Sequence, residues 1–126
     1  MEDYRRIVLD GVRYYGKHLI LSARNCNEDI RSTSLVTQFI ERIVPQINMV
    51  AHGAPIVERC GQGIEVGLSG VQLIETSAIV LHTNDMARDL YLDVFSCKGF
   101  NEEAVLELVD EAFHPQAINY QVLLRR

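Results

Sequence analysis

The sequence of 126 residues lacks most of the features that mark secreted, membrane-bound or nucleic-acid-binding proteins. Three cysteines are too few, and odd in number, for a disulfide framework. No apolar run approaches the roughly 18 residues of a membrane span, and the charged N-terminus lacks the apolar core of a secretory signal. A net charge of −5 argues against non-specific binding to nucleic acid or to an anionic membrane. We therefore expect a cytoplasmic protein.

Sequence patterns for metal or phosphate binding are also missing. The histidines and cysteines lack the spacing of metal ligands. Gly61-Gln62-Gly63 has neither the lysine nor the helix context of a phosphate-binding loop. The only adjacent basic residues, Arg5-Arg6 and Arg125-Arg126, are typical of solvated termini. The three prolines are scattered and no linker or repeat is visible, which predicts one domain over residues 1–126.

Hydrophobic periodicity predicts the element order β-α-β-β-β-α-β. Apolar residues at helical spacing indicate a first helix that is capped by Ser32–Ser34 and stops at Pro45. A second helix follows Asn101 and ends before Pro115. The four glycines within residues 61–70 suggest a turn and a tight backbone approach. We expect strands over residues 16–23, 71–77, 78–83, 90–97 and 117–124.

Strands grouped in the middle of the chain, with only two helices, favour an α+β fold. We expect a two-layer sandwich in which an antiparallel sheet carries both helices on one face. The other face of the sheet would then be uncovered. Because an uncovered face needs a partner, we expect a homodimer.

Four polar side chains of chemical interest occur in or near strand-like segments at short distances along the chain. Ser69 lies eight residues before Ser77. His82 follows Ser77 by five residues, and Cys97 follows His82 by fifteen. Each residue alone is typical of an ordinary structural position, so only the combination points to chemistry. In an unbroken strand Ser77 and His82 point to opposite faces, and their cooperation requires a kink near Ser77.

This spacing resembles that of the small bacterial and archaeal S-adenosylmethionine decarboxylases. The resemblance extends from Gly16 to the C-terminus. It is strongest in the stretch Gly16–Cys26, in Ser69-Gly70-Val71, and in His82-Thr83 together with Asp93–Cys97. It implies a two-layer α/β sandwich that forms a dimer with active sites between protomers. It also implies decarboxylation of a small amino-acid-type substrate in polyamine (spermidine) biosynthesis, without a metal.

The resemblance further implies that the chain makes its own cofactor. Ser77 would attack the carbonyl of Thr76 and convert the peptide bond between them into an ester. The chain would then separate into residues 1–76 and 77–126, and Ser77 would become a pyruvoyl group. This group forms a Schiff base with the substrate amine and takes up electrons as carbon dioxide leaves.

Three other residues receive catalytic roles from the same resemblance. His82 assists the elimination that completes self-cleavage, and Ser69 helps the acyl shift by hydrogen bonding to the developing oxyanion. Cys97 returns a proton to the substrate carbon after decarboxylation, a role that suits a thiol.

The chain departs from the family pattern on both sides of the cleavage bond and in the substrate region. Thr76 and Ala78 stand where glutamate and histidine usually flank the processing serine. Asn84-Asp85-Met86 stands in place of Trp-Pro-Glu, and Gly63 lies near the place of an upstream phenylalanine. An adenine ring therefore loses stacking partners that are worth on the order of 1 kcal/mol each.

Because these aromatic residues are absent, the sequence does not decide which substrate is bound. Glu75, Asp85 and Asp89 could form an acidic pocket for a basic amino acid, so a pyruvoyl-dependent ornithine or arginine decarboxylase is an alternative to an S-adenosylmethionine decarboxylase. Thr76 and Ala78 suggest a second alternative, an unprocessed and non-catalytic homologue that binds a partner or ligand.

Overall fold

The computed structural model describes residues 3–126. Two helices and eight strands are assigned in this range, and neither helix has the length and apolar composition needed to cross a membrane. The helices are α1 (Thr33–Gln46) and α2 (Glu102–Phe113). The strands are β1 (Ile7–Leu9), β2 (Val12–Tyr14), β3 (Gly16–Arg24), β4 (Ile56–Cys60), β5 (Gly67–Ile74), β6 (Ser77–Asn84), β7 (Asp89–Ser96) and β8 (Ala117–Arg125).

Six strands form one antiparallel sheet in the order β4-β5-β6-β7-β3-β8, and β1 forms a separate hairpin with β2. The pairing puts Ser69 opposite His82 and His82 opposite Tyr91. It also puts Ser77, the first residue of β6, opposite Ser96, the last residue of β7. Because side chains alternate along a strand, this register decides which residues share a face of the sheet.

Both helices pack on the same face of the sheet and enclose the hydrophobic core. The buried residues of α1 recur at helical spacing, as expected for an amphipathic helix; they include Val36, Ile40 and Ile43. The rings of Phe39 and Phe113 meet at an angle of 60° with their centroids 4.8 Å apart, which joins α1 to α2. The arrangement confirms the predicted α+β class, with an antiparallel sheet and two helices on one face.

The helix boundaries follow from the capping residues. The Ser32 hydroxyl accepts a hydrogen bond from the Leu35 N–H at 3.2 Å, and the Asn101 side chain accepts one from the Glu103 N–H at 3.0 Å. The prediction that α1 stops at Pro45 is wrong by one residue, because Pro45 lies in the last turn and the helix ends at Gln46.

Residues 48–59 are expected from the sequence to form only short extended pieces, and β4 lies mostly within them. The β1–β2 hairpin is not predicted, and β5 begins four residues earlier than expected. The sequence suggests a turn at Gly67 and Gly70, but both glycines lie within β5. A Cβ atom on Gly67 would overlap the carbonyl oxygen of Thr83 on the neighbouring strand β6. The glycine therefore permits a tight backbone approach inside the sheet, as the sequence suggested, without ending the strand.

The face of the sheet opposite the helices, which we call the outer face, is largely uncovered within residues 3–126. Strand alternation places Ser69, Val80 and His82 on it. It also carries four large apolar side chains that are about half exposed, namely Ile56, Leu73, Tyr91 and Leu123. An exposed apolar surface of this kind is typical of a protein–protein contact. The expected homodimer would cover it and stays a prediction.

Candidate active site

The β5–β6 hairpin presents the predicted cleavage bond at one end of the sheet. Glu75 and Thr76 form its two-residue turn, and the flanking Ile74 and Ser77 lie opposite each other in the ladder. Thr76 and Ser77 are half-buried, whereas Glu75 is exposed. The bond between Thr76 and Ser77 therefore lies at a tight turn that is within reach of other groups.

The carbonyl oxygen of Thr76 accepts a hydrogen bond of 2.9 Å from the backbone N–H of Cys97. Cys97 directly follows β7, and the pairing of Ser77 with Ser96 brings its amide to this carbonyl. A donor on a carbonyl oxygen polarises the carbon and stabilises the oxyanion that forms when a nucleophile attacks. The neighbouring Ser77 hydroxyl is such a nucleophile, so the arrangement suits an acyl shift.

The side chain of Thr76 is held as well. Its hydroxyl lies 2.8 Å from the Ser96 Oγ and donates to the Met49 Sδ at 3.3 Å. Ser96 is fully buried and accepts a hydrogen bond from the Lys98 backbone N–H at 3.0 Å. The turn is therefore attached to the end of β7 through both a backbone and a side-chain hydrogen bond.

The Cys97 thiol lies beside this turn and is half-buried. Nη2 of Arg6 donates a hydrogen bond to its Sγ at 3.3 Å. Both residues line a cavity of about 520 Å³ together with Asp3, Tyr4 and Tyr15. The thiol is therefore accessible to a small molecule. Such access is required if Cys97 is to donate a proton to a substrate.

Ser69 and His82 form a second group, on the outer face. The Ser69 hydroxyl lies 2.9 Å from Nδ1 of His82 in the cross-strand pair of β5 and β6. The His82 side chain is exposed, so its other ring nitrogen is open to a partner or a substrate. A hydroxyl bound to an exposed imidazole can exchange protons with a reacting group that is brought to this surface.

One protomer does not bring these two groups together. The ladder of β6 with β7 runs without a break from Ser77 to Asn84, so Ser77 and His82 project on opposite faces of the sheet. The backbone at Ser77 is unusual, with a φ of +156°, but it does not bring the two side chains to one face. With a rise of about 3.3 Å per residue, five residues separate them by about 17 Å along the strand. The predicted catalytic residues therefore divide into Ser77 with Cys97 at the hairpin and Ser69 with His82 on the outer face.

Two of the predicted substrate-binding acids lie at the far end of the same strands. Asp85 and Asp89 flank the β6–β7 connection, more than 20 Å from Ser77 at about 3.3 Å per residue. Asp85 forms an ion pair of 2.9 Å with Arg59, and Asp89 accepts a hydrogen bond of 3.0 Å from the Asn25 N–H. Within one protomer neither carboxylate reaches the cleavage bond, so their role in substrate binding stays a prediction.

Glu75 is the one predicted substrate-binding acid that adjoins the cleavage bond. Its exposed carboxylate lies 3.8 Å from Nδ1 of His52. Because both side chains are exposed, this pair does not hold a fixed geometry. The role of Glu75 in substrate binding stays a prediction. In the part of the chain from residue 3 onward, no cluster of three or more histidine, cysteine, aspartate or glutamate side chains could hold a metal ion.

The sequence reasoning missed two residues that contact the site. Ser96 contacts Thr76, and this contact depends on the register of β6 and β7. Arg6 was expected to be solvated, yet its guanidinium contacts the Cys97 sulfur across 91 positions of sequence. Periodicity could not have found either contact, because both depend on how distant segments meet.

Comparison with known proteins places this geometry in a family. A family model described as S-adenosylmethionine decarboxylase matches residues 17–126. The fold is similar to the crystal structure of the adenosylmethionine decarboxylase from Aquifex aeolicus VF5, with a TM-score of 0.74 and 21% identity over 90% of this chain and 92% of that chain. The sequence matches none of the curated proteins compared with it. Since the family match spans most of the sequence, the chain belongs to the S-adenosylmethionine decarboxylase family.

Proposed function

We propose that this chain is a pyruvoyl-dependent decarboxylase that makes its cofactor by cutting itself between Thr76 and Ser77. The observation that supports this proposal best is the 2.9 Å hydrogen bond from the Cys97 N–H to the Thr76 carbonyl oxygen. It puts a donor on the carbonyl that the cleavage reaction must attack, next to the hydroxyl that must attack it.

The proposed self-cleavage would take place at these positions in three steps. The Ser77 Oγ bonds to the Thr76 carbonyl carbon while the Cys97 N–H stabilises the oxyanion, and the C–N bond breaks to give an ester and a free amine. A base then removes the proton from the Ser77 Cα, and the Thr76 carboxylate leaves. Water replaces the amine of the resulting dehydroalanine, ammonia departs, and a pyruvoyl group remains at the start of the second chain.

The acid–base residues would come from a second copy of the chain. Ser69 and His82 are hydrogen-bonded to each other at 2.9 Å, but they lie on the outer face, about 17 Å along the strand from Ser77. The outer face is also where Leu73 and Tyr91 expose apolar area. A dimer that covers this face would bring His82 of one protomer toward the hairpin of the other, where it could serve the elimination step.

The residues at the hairpin fit a pyruvoyl group at position 77. The group would supply a carbonyl that condenses with a substrate amine and accepts the electrons released as carbon dioxide leaves. Cys97 would then return a proton to the substrate carbon, since its thiol lines the cavity beside the turn.

S-adenosylmethionine is the first substrate to test, with spermidine synthesis as the pathway that the family suggests. Ornithine and arginine are the alternatives, since the chain lacks the stacking aromatics described above. The ion pair of Asp85 with Arg59 weakens the case for an acidic pocket, because it already neutralises one of the three acids. Comparing carbon dioxide release from the three substrates decides among them.

The intact mass of the purified protein under denaturing conditions tests the proposal. We expect two fragments, residues 1–76 and a second chain whose N-terminal residue has the mass of a pyruvoyl group. The Ser77→Ala variant should give a single full-length mass. If the wild type keeps its full-length mass on long incubation, the result would favour the alternative that the chain is an unprocessed, non-catalytic homologue. Thr76 and Ala78 suggest this alternative.

A further inference from the structure

The N-terminal segment of residues 3–15 lies outside the family match and next to Cys97. It is held there by aromatic contacts. The ring of Tyr15 lies 6.0 Å from that of Phe95 on the outer face, and the ring of Tyr4 lies 5.7 Å from that of Tyr15. The segment therefore adds a wall to the candidate active site that the matched part of the chain does not contain.

The cavity between this wall and Cys97 carries one guanidinium without a carboxylate partner in the described range. Arg5 donates to both carboxylate oxygens of Asp3, at 3.0 and 2.8 Å, and this hydrogen bonding lowers the pKa of Asp3 to about 2. Asp3 is therefore already paired. Within residues 3–126 no carboxylate lies within 4.0 Å of the Arg6 guanidinium, which makes one hydrogen bond, to the Cys97 sulfur.

Cys97 connects the cavity to the Thr76–Ser77 bond, although neither Thr76 nor Ser77 lines the cavity. Cys97 contributes its side chain to the cavity and its backbone N–H to the Thr76 carbonyl. A substrate joined through its amine to position 77 would therefore extend into a space bordered by a thiol, a guanidinium and two tyrosine rings. A guanidinium has five N–H donors in a planar fork that matches a carboxylate.

We propose that Arg6 binds the carboxylate of an α-amino-acid substrate in the cavity beside Cys97. This assignment rests on the proposed function, since it takes position 77 as the point where the substrate amine is held. Arg6 would orient the carboxylate before carbon dioxide leaves, and the C–C bond would break with its electrons passing toward position 77. Because the ion pair is lost with carbon dioxide, Arg6 acts as a substrate-positioning residue and should affect KM more than kcat.

Alkylation of Cys97 tests this subsite without any decarboxylation. Both iodoacetate and iodoacetamide alkylate the Cys97 sulfur, but only iodoacetate carries a carboxylate. The ratio of their two reaction rates therefore measures how strongly the site attracts a carboxylate. Cys60 is exposed and serves as the reference thiol. Cys26 is buried, and burial raises the pKa of its thiol to about 11, so it should react slowly. Peptide mass mapping measures each site in the same sample.

We expect the iodoacetate-to-iodoacetamide ratio at Cys97 to fall about five- to tenfold in Arg6→Gln, while the ratio at Cys60 stays unchanged. Arg6→Lys should keep most of the preference because it keeps the charge. Arg42→Gln removes the same charge from α1, where Arg42 pairs with Glu111, and should have no effect. An unchanged ratio at Cys97 in Arg6→Gln would overturn the proposal.

The same measurement on the Ser77→Ala variant separates this subsite from the proposed function. That variant cannot make the pyruvoyl group, so the preference for iodoacetate should persist in it whether or not the wild type cuts itself. If the wild type does not cut itself but Cys97 still prefers iodoacetate, the proposed decarboxylase function is wrong and the proposed anion subsite stands. In a self-cleaved wild type, Arg6→Gln should raise KM for the amino acid, and an unchanged KM would contradict the assignment.

Discussion

Thr76 is bound through its carbonyl by the Cys97 N–H and through its hydroxyl by Ser96. Removing the hydroxyl in Thr76→Val, or its partner in Ser96→Ala, should leave the turn less fixed during the acyl shift. A neutral hydrogen bond contributes about 1 kcal/mol, so we expect self-cleavage to slow about five- to tenfold. The measurement is the fraction of full-length mass against time.

Thr76→Ser provides the matched comparison, because it keeps a hydroxyl at the same position and should cut at nearly the wild-type rate. Thr37→Val removes a hydroxyl from α1, where it donates to the Thr33 carbonyl at 2.6 Å, and should not affect cleavage. Equal cleavage rates in Thr76→Val and the wild type would show that the carbonyl contact alone fixes the bond.

Cys97 is expected to act through different atoms in the two reactions. Its backbone N–H would serve the proposed self-cleavage, and its thiol would serve the proposed decarboxylation. Cys97→Ala keeps the N–H, so it should still give two fragments, but its decarboxylation rate should fall at least about a hundredfold without the proton donor. Fragment masses and carbon dioxide release measure the two effects in one preparation, and a full-length Cys97→Ala chain would show that the thiol is needed for cleavage too.

At the residue scale the sequence indicates candidate reacting groups but not the residues that hold them. The spacing of Ser77, His82 and Cys97 is a linear pattern and could be read directly. Ser96 could not be assigned, because its contact with Thr76 depends on which residues of β6 and β7 face each other. Arg6 could not be assigned either, since nothing in residues 3–15 indicates where this segment meets the sheet.

At the scale of elements, Lys17 joins β3 to the start of α2. Its ammonium donates to Glu102 at 2.7 Å and to the Phe100 carbonyl at 2.6 Å. The hydrogen bond from Lys17 lowers the pKa of Glu102 below its usual 4.5. A carboxyl group whose pKa is lower in the folded state than in the unfolded state stabilises the fold at pH values above its unfolded pKa. This stabilisation is lost as the pH falls through the pKa of the folded state.

Glu102→Gln should therefore reduce the free energy of unfolding by about 1 kcal/mol at pH 7, where both the ion pair and the helix dipole favour the carboxylate. The difference from the wild type should be constant above pH 4.5 and shrink below it. Urea unfolding at several pH values measures this. Glu111→Gln on the same helix removes an exposed ion pair with Arg42 and should cost much less; an equal loss in both variants would contradict the argument.

The helices and most strands could be predicted because their burial repeats at the expected period. β3, α2 and β8 match the prediction within one or two residues. The predicted start of β5 is too late because closely spaced glycines suggest a turn. Gly67 instead permits a tight approach to β6 inside the sheet. β4 is a mostly exposed edge strand, so it lacks the alternation that marks a half-buried one.

At the scale of the whole molecule, the two groups of proposed catalytic residues lie too far apart to meet within one protomer, and the proposed dimer would bring them together. Ser77→Ala keeps Ser69 and His82, and His82→Ala keeps Ser77. Each variant alone should stay full length. When the two are expressed together, we expect the His82→Ala chain to be cut and the Ser77→Ala chain to remain whole, since the first can use the imidazole of the second.

Fragment masses distinguish the two chains, because each carries a different substitution. Cleavage of His82→Ala alone would show that His82 is not required, and the absence of cleavage in the mixture would contradict action between protomers. Val80→Asp puts a charge on the outer face between Ser77 and His82 and should give a monomer that stays uncut. Its sedimentation coefficient and its intact mass measure both effects.

The strand order has a consequence for the protein after cleavage. The first fragment, residues 1–76, contains β3, β4 and β5, and the second, residues 77–126, contains β6, β7 and β8. Across the sheet, β4 and β5 of the first fragment are followed by β6 and β7 of the second, then by β3 of the first and β8 of the second. The pieces are interleaved, and separating them breaks three ladders: β5–β6, β7–β3 and β3–β8. The cut protein should thus behave as a pair of chains that come apart only on unfolding. Its refolding should become bimolecular, and its melting temperature should rise with concentration.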